Sequence, residues 1–330
     1  MKGLIVMTEF VFITGSDLHI SDNGPRNRLD NYKEAMLDKL DQMGRACNKL
    51  KADAALFAGD LFNLKNPAKN SHRLNQDIIN VIKKFSCPFY AIEGNHDITA
   101  DKLESLVDQP LGVLFADKTI LQLREEVIEK NGYKVSLVGI PYTNELKIED
   151  IKLPSREGCV SQICLMHIYS GLKAGNLFNE RLYGYDELAK LPADVFVIGH
   201  YHIDQGIYDE NGKYFVNIGS MSRGSLSEED INHLPQIGMI KITIDNDNVT
   251  YKLNSFKLKV KPASEIFDLT KKMQEKQDDK QIQEFVEKLA ASAVQETIKS
   301  DKDIDHILDA MDLAKVVRDR VLGYIRQVKV

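Results

Sequence analysis

The stretch Ala54-Ala55-Leu56-Phe57-Ala58-Gly59-Asp60 sets a pattern that recurs along the chain. Five apolar residues without polar alternation read as a strand buried on both faces, and Gly59 stops it. Asp60 then stands at the strand's carboxyl end. Upstream, Phe10-Val11-Phe12-Ile13 runs into Gly15-Ser16, followed by Asp17 and His19. Downstream, Pro88-Phe89-Tyr90-Ala91-Ile92 runs to Gly94, followed by Asn95-His96-Asp97. Val135–Gly139, Val160–Met166, Val195–Ile198 and Phe215–Ile218 repeat the theme, each β-rich and each ending at or near a glycine or histidine. Helical spacing appears between strands. Met36, Leu37, Leu40, Met43 and Cys47 share one face of Tyr32–Leu50, and Ile78–Phe85 reads likewise. The alternation predicts a layered α/β architecture with helices covering a central sheet.

From about Ile237 the pattern changes. Met239–Ile244 and Val249–Leu253 flank Asp245-Asn246-Asp247-Asn248 and predict a β-hairpin. Beyond Pro262 the chain reads as charged and helical, with stripes at Ile282, Phe285, Val286 and Leu289, and at Ile304, Ile307, Leu308 and Met311. Val316, Val317, Val321 and Tyr324 continue them. The expected division is a catalytic domain over residues 1–258 and a helical capping or partner-binding region over residues 259–330.

Composition bounds the function. The 330 residues are 43% hydrophobic and 28% charged, which suits a large buried core rather than a disordered chain. A net charge of −6 argues against a protein that coats DNA nonspecifically, because that mode needs many cations to displace counterions. It does not exclude an enzyme that grips phosphates locally. Cys47, Cys87, Cys159 and Cys164 form no CxxC pair and read as reduced thiols. Glu9 interrupts the only early apolar run, and nothing approaches the ~20 apolar residues of a membrane span. The expectation is a cytoplasmic protein of a bacterial or phage-infected cell, with no membrane partner.

The chemistry lies in where the Asp, Asn and His residues fall. A lone histidine after a strand is ordinarily a satisfied surface or core residue, and a single Gly-Asp is equally weak. Here Asp17 and His19, Asp60, Asn95 to Asp97, His167, and His200 and His202 follow successive strands. Strand carboxyl ends of an open α/β sheet line one edge, so these segments can deliver donors to one place. His72, His233 and His306 stand outside the pattern and read as surface or structural residues.

The strings Asp17-Leu18-His19, Gly59-Asp60, Gly94-Asn95-His96-Asp97, His167 and Gly199-His200-Tyr201-His202 resemble the signature of the calcineurin-like metallophosphoesterase superfamily. The resemblance implies a four-layer sandwich, two sheets flanked by helices, with a smaller C-terminal hairpin-plus-helical region. It implies two divalent ions: Asp17, His19 and His202 on one, Asn95, His167 and His200 on the other, Asp60 bridging. Activated water would then attack the phosphodiester in line. Mixed imidazole, carboxylate and amide donors suit manganese, with iron or zinc as alternatives, better than magnesium. By the same resemblance His96 is the non-ligand histidine that contacts phosphate and protonates the leaving oxygen, with Asp97 orienting its ring.

Three features resemble the SbcD-type DNA-repair nuclease branch. Gly59-Asp60-Leu61-Phe62 is similar to that branch's Gly-Asp-x-Phe-Asp, with Asn63 in place of the final Asp. Asn217-Ile218-Gly219-Ser220-Met221-Ser222-Arg223 is similar to its closing segment, which makes Ser220 and Arg223 candidate phosphate contacts. A hairpin and a helical tail then follow the catalytic domain. The branch implies a DNA exo- and endonuclease acting in repair or recombination, a homodimer, and an SbcC-type coiled-coil ATPase docked on the tail. The alternatives are a small-molecule (cyclic nucleotide or nucleotide) phosphoesterase of the same fold and a noncatalytic scaffold for such an ATPase.

Overall fold

A computed structural model describes residues 7–25, 28–144, 146–177, 180–246 and 248–270. The first elements are β1 (Thr8–Gly15), α1 (Tyr32–Leu50), β2 (Ala54–Phe57), α2 (His72–Ile82), β3 (Phe89–Ala91), α3 (Pro110–Ala116) and β4 (Leu121–Gln122). Next come β5 (Glu125–Lys130), β6 (Tyr133–Ile140), β7 (Ser161–Ile168), β8 (Ser170–Gly171), β9 (Gly175–Leu177), β10 (Glu180–Gly184) and α4 (Tyr185–Leu188). The series closes with β11 (Val195–His200), β12 (Gly206–Glu210), β13 (Lys213–Asn217), α5 (Glu228–Asn232), β14 (Gln236–Asp245), β15 (Asn248–Lys257) and α6 (Ala263–Ile266).

The strands form two six-stranded sheets, ordered β15-β14-β1-β2-β3-β4 and β12-β13-β11-β7-β6-β5, plus a small sheet β8-β10-β9. Side-chain alternation explains the sandwich. Phe10 and Phe12 of β1 pack with Leu56, Val135, Leu165, Val197 and Ile242 in the core shared by the two sheets. Val11 and Ile13 point the other way, into a core with Met36, Leu40 and Met43 of α1 and Leu74 and Ile78 of α2. On the far side Phe196 and Ile198 of β11 pack with Met166, Tyr185 and Leu188. Each central strand is covered on both faces, which is why it reads as an unbroken apolar run.

α1 is framed by Asn31, whose side chain accepts from the Glu34 N–H, and by Lys51 in the left-handed conformation. α2 starts earlier than its apolar spacing suggested, because Ser71 caps it by accepting from the Leu74 N–H. The predicted hairpin forms as β14 and β15, but it is not appended after the catalytic domain. β14 pairs antiparallel with β1 from Thr8↔Ile244 to Thr14↔Gly238. Ile240, Ile242 and Ile244 thereby complete the intersheet core, and exposing them would forfeit that burial.

One compact unit runs to Ile266. The segment from Leu258 to Ile266 belongs to that unit: Leu258 N–H donates to Pro235 O, Leu29 N–H to Ile266 O, and Lys259 N–H to Gln42 Oε1. The helical stripes read between Ile282 and Tyr324 lie outside the described residues. No helix among the described residues is long and apolar enough to cross a membrane.

Candidate metal centre

The carboxyl ends of β1, β2, β3, β7 and β11 bring the singled-out residues to one edge. Their loops are tied to one another: Asp17 N–H donates to Gly59 O (3.0 Å), His19 N–H to Asp60 O (3.1 Å) and Ser222 N–H to Asp17 O (3.2 Å). Four of these residues have positive φ: Asp17 (54°), His19 (50°), Asp60 (55°) and His200 (86°). Such backbone costs about 1–3 kcal/mol per residue and persists where the surroundings over-determine it. Here the cross-loop hydrogen bonds do so. The strained conformations turn side chains inward from both sheets.

Two donor groups result. Asp17, His19, Asp60 and His202 form one, and Asp60, His167 and His200 the other, so Asp60 belongs to both. In the first, the Nε2 atoms of His19 and His202 lie 3.0 Å apart, with Asp17 Oδ1 3.6 Å from that of His202. In the second, His167 Nε2 is 3.4 Å from Asp60 Oδ2 and 3.1 Å from Asn95 Oδ1. His167 Nδ1 faces the carbonyl of Ala58 at 2.7 Å; a carbonyl only accepts, so Nδ1 carries a proton and Nε2 is the nitrogen turned toward the donors.

The electrostatics call for positive charge. Asp17 and Asp60 are 0% and 1% exposed, and imidazoles are their ion-pair partners among the described residues. Burial pushes the Asp17 carboxyl up, but its contact with His202 and the nearby His167 charge outweigh that and hold it at about 2. Burial likewise opposes ionisation of Asp60, and His167 overcomes it, leaving Asp60 well below the carboxylate range. His167 is driven the other way: burial lowers it, yet Asp60 raises it to about 9. His19 is held down at about 3 by burial despite Asp60. Without a cation, the charge of the two buried carboxylates is met by imidazoles alone, with His167 and His202 both raised by the carboxylates beside them. A divalent ion would supply that charge and displace the proton. Two buried carboxylates, convergent imidazole nitrogens and a His19 Nδ1 with no hydrogen-bond partner among the described residues fit a metal-binding cluster.

Close packing makes two glycines necessary. At Gly59 (φ 89°) a Cβ would lie 2.3 Å from His167 Nδ1, and at Gly94 one would lie 2.0 Å from Asp60 Oδ1. Gly59→Ala should therefore destabilise the fold by about 1–3 kcal/mol and disturb His167. Thermal melting of the cation-free protein tests this, and an unchanged melting temperature would refute the packing argument.

His96 sits beside the donors, its ring 4.7 Å from that of His19, with its backbone N–H on Asp60 Oδ1 at 2.8 Å. Asp97, expected to orient this ring, does something else. Its carboxylate accepts from the backbone N–H groups of Leu61, Phe62 and Gly94 at 3.3, 3.0 and 3.0 Å, fixing the loops after β2 and β3. Burial and the Asp60 charge raise it to about 7. The ring is oriented by the backbone carbonyl of Asn63, 2.8 Å from Nδ1, so the proton of the neutral ring sits on Nδ1.

Ser220 and Arg223, expected at the phosphate, are spent elsewhere. The Ser220 hydroxyl donates to Ser222 O at 2.8 Å, and Arg223 donates to Lys261 O at 2.6 Å, inside a separate cleft with Arg28 and Lys39. The closing segment is bonded to the β1 loop through the backbone, Met221 N–H donating to Ser16 O and Ser222 N–H to Asp17 O. His233 holds the Ser220 carbonyl and joins the wall of the main cleft.

Several contributors were not singled out in the sequence. Glu93 is fully buried, and its pairing with Arg124 at 2.9 Å fixes the strand end entering Gly94-Asn95. The rings of Tyr169 and Tyr142 stand 4.0 and 5.3 Å from that of His200, and Glu180 Oε2 is 3.0 Å from His200 Nε2. Tyr169, two residues past His167, carried a positional signal. Glu180 carried none. Above the donors opens a cleft of about 730 Å³ lined by Tyr169, Tyr201, Ile203, Asp204, Ser227 and Asp230 among others.

The calcineurin-like phosphoesterase family model matches residues 15–204. Over 264 residues the chain is 24% identical to the DNA double-strand break repair protein Mre11 of Saccharolobus solfataricus, covering 77% of this chain and 66% of that protein. Its fold is similar to that of a Staphylococcus aureus protein assigned as a 5'-nucleotidase and crystallised with alpha-ketoglutarate. That match has a TM-score of 0.53 and 14% identity, covering 82% of this chain and 58% of the other. The chain thus spans less than two thirds of the length of these relatives. The matched span takes in every donor from Asp17 to His202 and more than half of the chain, and on that ground this protein belongs to the calcineurin-like phosphoesterase family.

Proposed function

We propose that this protein is a two-metal DNA nuclease that hydrolyses phosphodiester bonds. The observation that carries the reading is the likeness to a DNA double-strand break repair protein over a stretch longer than the family domain itself. The site supports it. Asp204 and Asp230 on the cleft wall disfavour the dianion of a phosphate monoester more than the single charge of a diester.

In this reading Asp17, His19 and His202 would hold one divalent cation and Asn95, His167 and His200 the other, with Asp60 shared between the two groups. Manganese is the proposed metal, since the donor set mixes imidazole, amide and carboxylate. Bound there, the pair supplies Lewis-acid polarisation of the phosphoryl group and lowers the pKa of water to about 7. The chain's own residues do the rest. Ala58 O fixes the His167 tautomer, and Asn63 O holds His96 with Nε2 toward the site. Protonated at Nε2, His96 donates to the departing oxygen. The proposal extends to a homodimer and to an SbcC-type coiled-coil ATPase docked on residues 259–330.

The test offers linear and hairpin DNA beside bis-p-nitrophenyl phosphate, with manganese and with EDTA. Manganese-dependent cleavage of DNA is expected. Cleavage of the small ester with DNA left intact would overturn the nuclease reading while keeping the hydrolase.

A further inference from the structure

We propose that Glu180 is a positioning residue for the second cation, setting the tautomer of His200 so that Nδ1 is the nitrogen offered to the metal. The inference rests on the two-cation reading above.

The ring of His200 has two nitrogens, and only one can face a cation. Glu180 Oε2 lies 3.0 Å from Nε2. An ionised carboxylate accepts and does not donate, so the proton of the neutral imidazole resides on Nε2 and the lone pair on Nδ1. Glu180 also makes the ring a stronger ligand, as carboxylates paired to metal-bound histidines commonly do. His167 reaches the same end with the opposite nitrogen: Ala58 O holds Nδ1 at 2.7 Å and Nε2 faces Asp60. The two neighbouring histidines are therefore fixed in opposite tautomers by two different acceptors.

The fold gives Glu180 a defined place. β10 begins at Glu180 and pairs in parallel with β8, through Tyr183↔Ser170, directly after the strand that ends beside His167. Ser170 anchors the excursion twice: its hydroxyl donates to Tyr183 O at 3.0 Å, and its carbonyl accepts from Asn217 Nδ2 at 2.8 Å. Tyr169 and Tyr142 flank the His200 ring at 4.0 and 5.3 Å and limit its rotation. The tyrosines set the plane of the ring and the carboxylate sets its protonation. Glu180 is 39% exposed, so replacing it removes no core packing.

The experiment titrates the full-length, metal-stripped chain with zinc alone by calorimetry, and reads imidazole nitrogen shifts by NMR in the zinc-loaded protein. The wild type should bind two zinc ions, with His200 protonated at Nε2 and coordinated at Nδ1. Glu180→Ala should weaken one of the two sites by about 10–100-fold and leave the other intact. Glu180→Gln retains an acceptor and should stay within about tenfold of wild type. Two results overturn the inference alone: unchanged zinc affinity in Glu180→Ala, or His200 coordinated through Nε2. Equal losses in both variants would make Glu180 itself a ligand and also overturn it. A wild-type chain that binds no zinc overturns the metal-centre reading, and this inference falls with it.

Discussion

Replacing His96 with asparagine is expected to cut turnover by about 10²–10⁴-fold while leaving the bound metal unchanged. The ring stands against His19 but belongs to neither donor group. Asn63 O occupies its Nδ1, which leaves Nε2 as the nitrogen that the proposed acid role would use. Asparagine keeps the backbone N–H that donates to Asp60 Oδ1 at 2.8 Å, so the loop should hold its shape. The check pairs metal analysis of the purified variant with kcat on a diester substrate. If metal content falls with kcat, His96 is a ligand and its role as acid is lost. A substitution at Asp97 is no substitute for this test, because Asp97 holds three backbone N–H groups of the loops after β2 and β3.

Asp60→Asn is expected to have the larger effect on binding. Both donor groups include Asp60, and its Oδ2 stands 3.6 Å from His19 Nε2 and 3.4 Å from His167 Nε2. The amide preserves size and an acceptor for the His96 N–H but removes the buried charge. Affinity at both sites should drop by more than the ~10–100-fold typical of outer partners, and diesterase activity should vanish with it. The pKa of His167 must also fall, since Asp60 is what raises it against burial. Metal stoichiometry by elemental analysis, beside an NMR titration of His167 in the metal-free variant, reads both consequences. Two tightly held ions in Asp60→Asn would show that the carboxylate is not shared.

Much of this was legible in the chain. Runs such as Ala54–Ala58 announce strands buried on both faces, and the residue placed just past each strand announces the edge where donors gather. Adjacent contacts in a regular element need only local information. The role of Asp97 was not legible, because a carboxylate next to a histidine in sequence can serve any N–H within reach once the loops fold. Here the β2 loop claimed it. Ser220 and Arg223 were misplaced for the same reason: the residue types suit phosphate, but the turn that follows Gly219 directs them to Ser222 and Lys261 carbonyls. The hairpin was legible as a hairpin but its pairing with β1 was not, since β14 carries no mark naming β1 as its partner.

The sequence by itself determined the strand-and-helix alternation and the order in which Asp, Asn and His residues follow the strands, because these follow from side-chain periodicity and from chemistry carried by each residue. Only the tertiary structure decided which nitrogen of His167 faces Asp60, which acceptor holds His96, and that Glu180 meets His200 from twenty residues away. Those outcomes depend on hydrogen bonds between chain segments whose separation in sequence bears no relation to their separation in space.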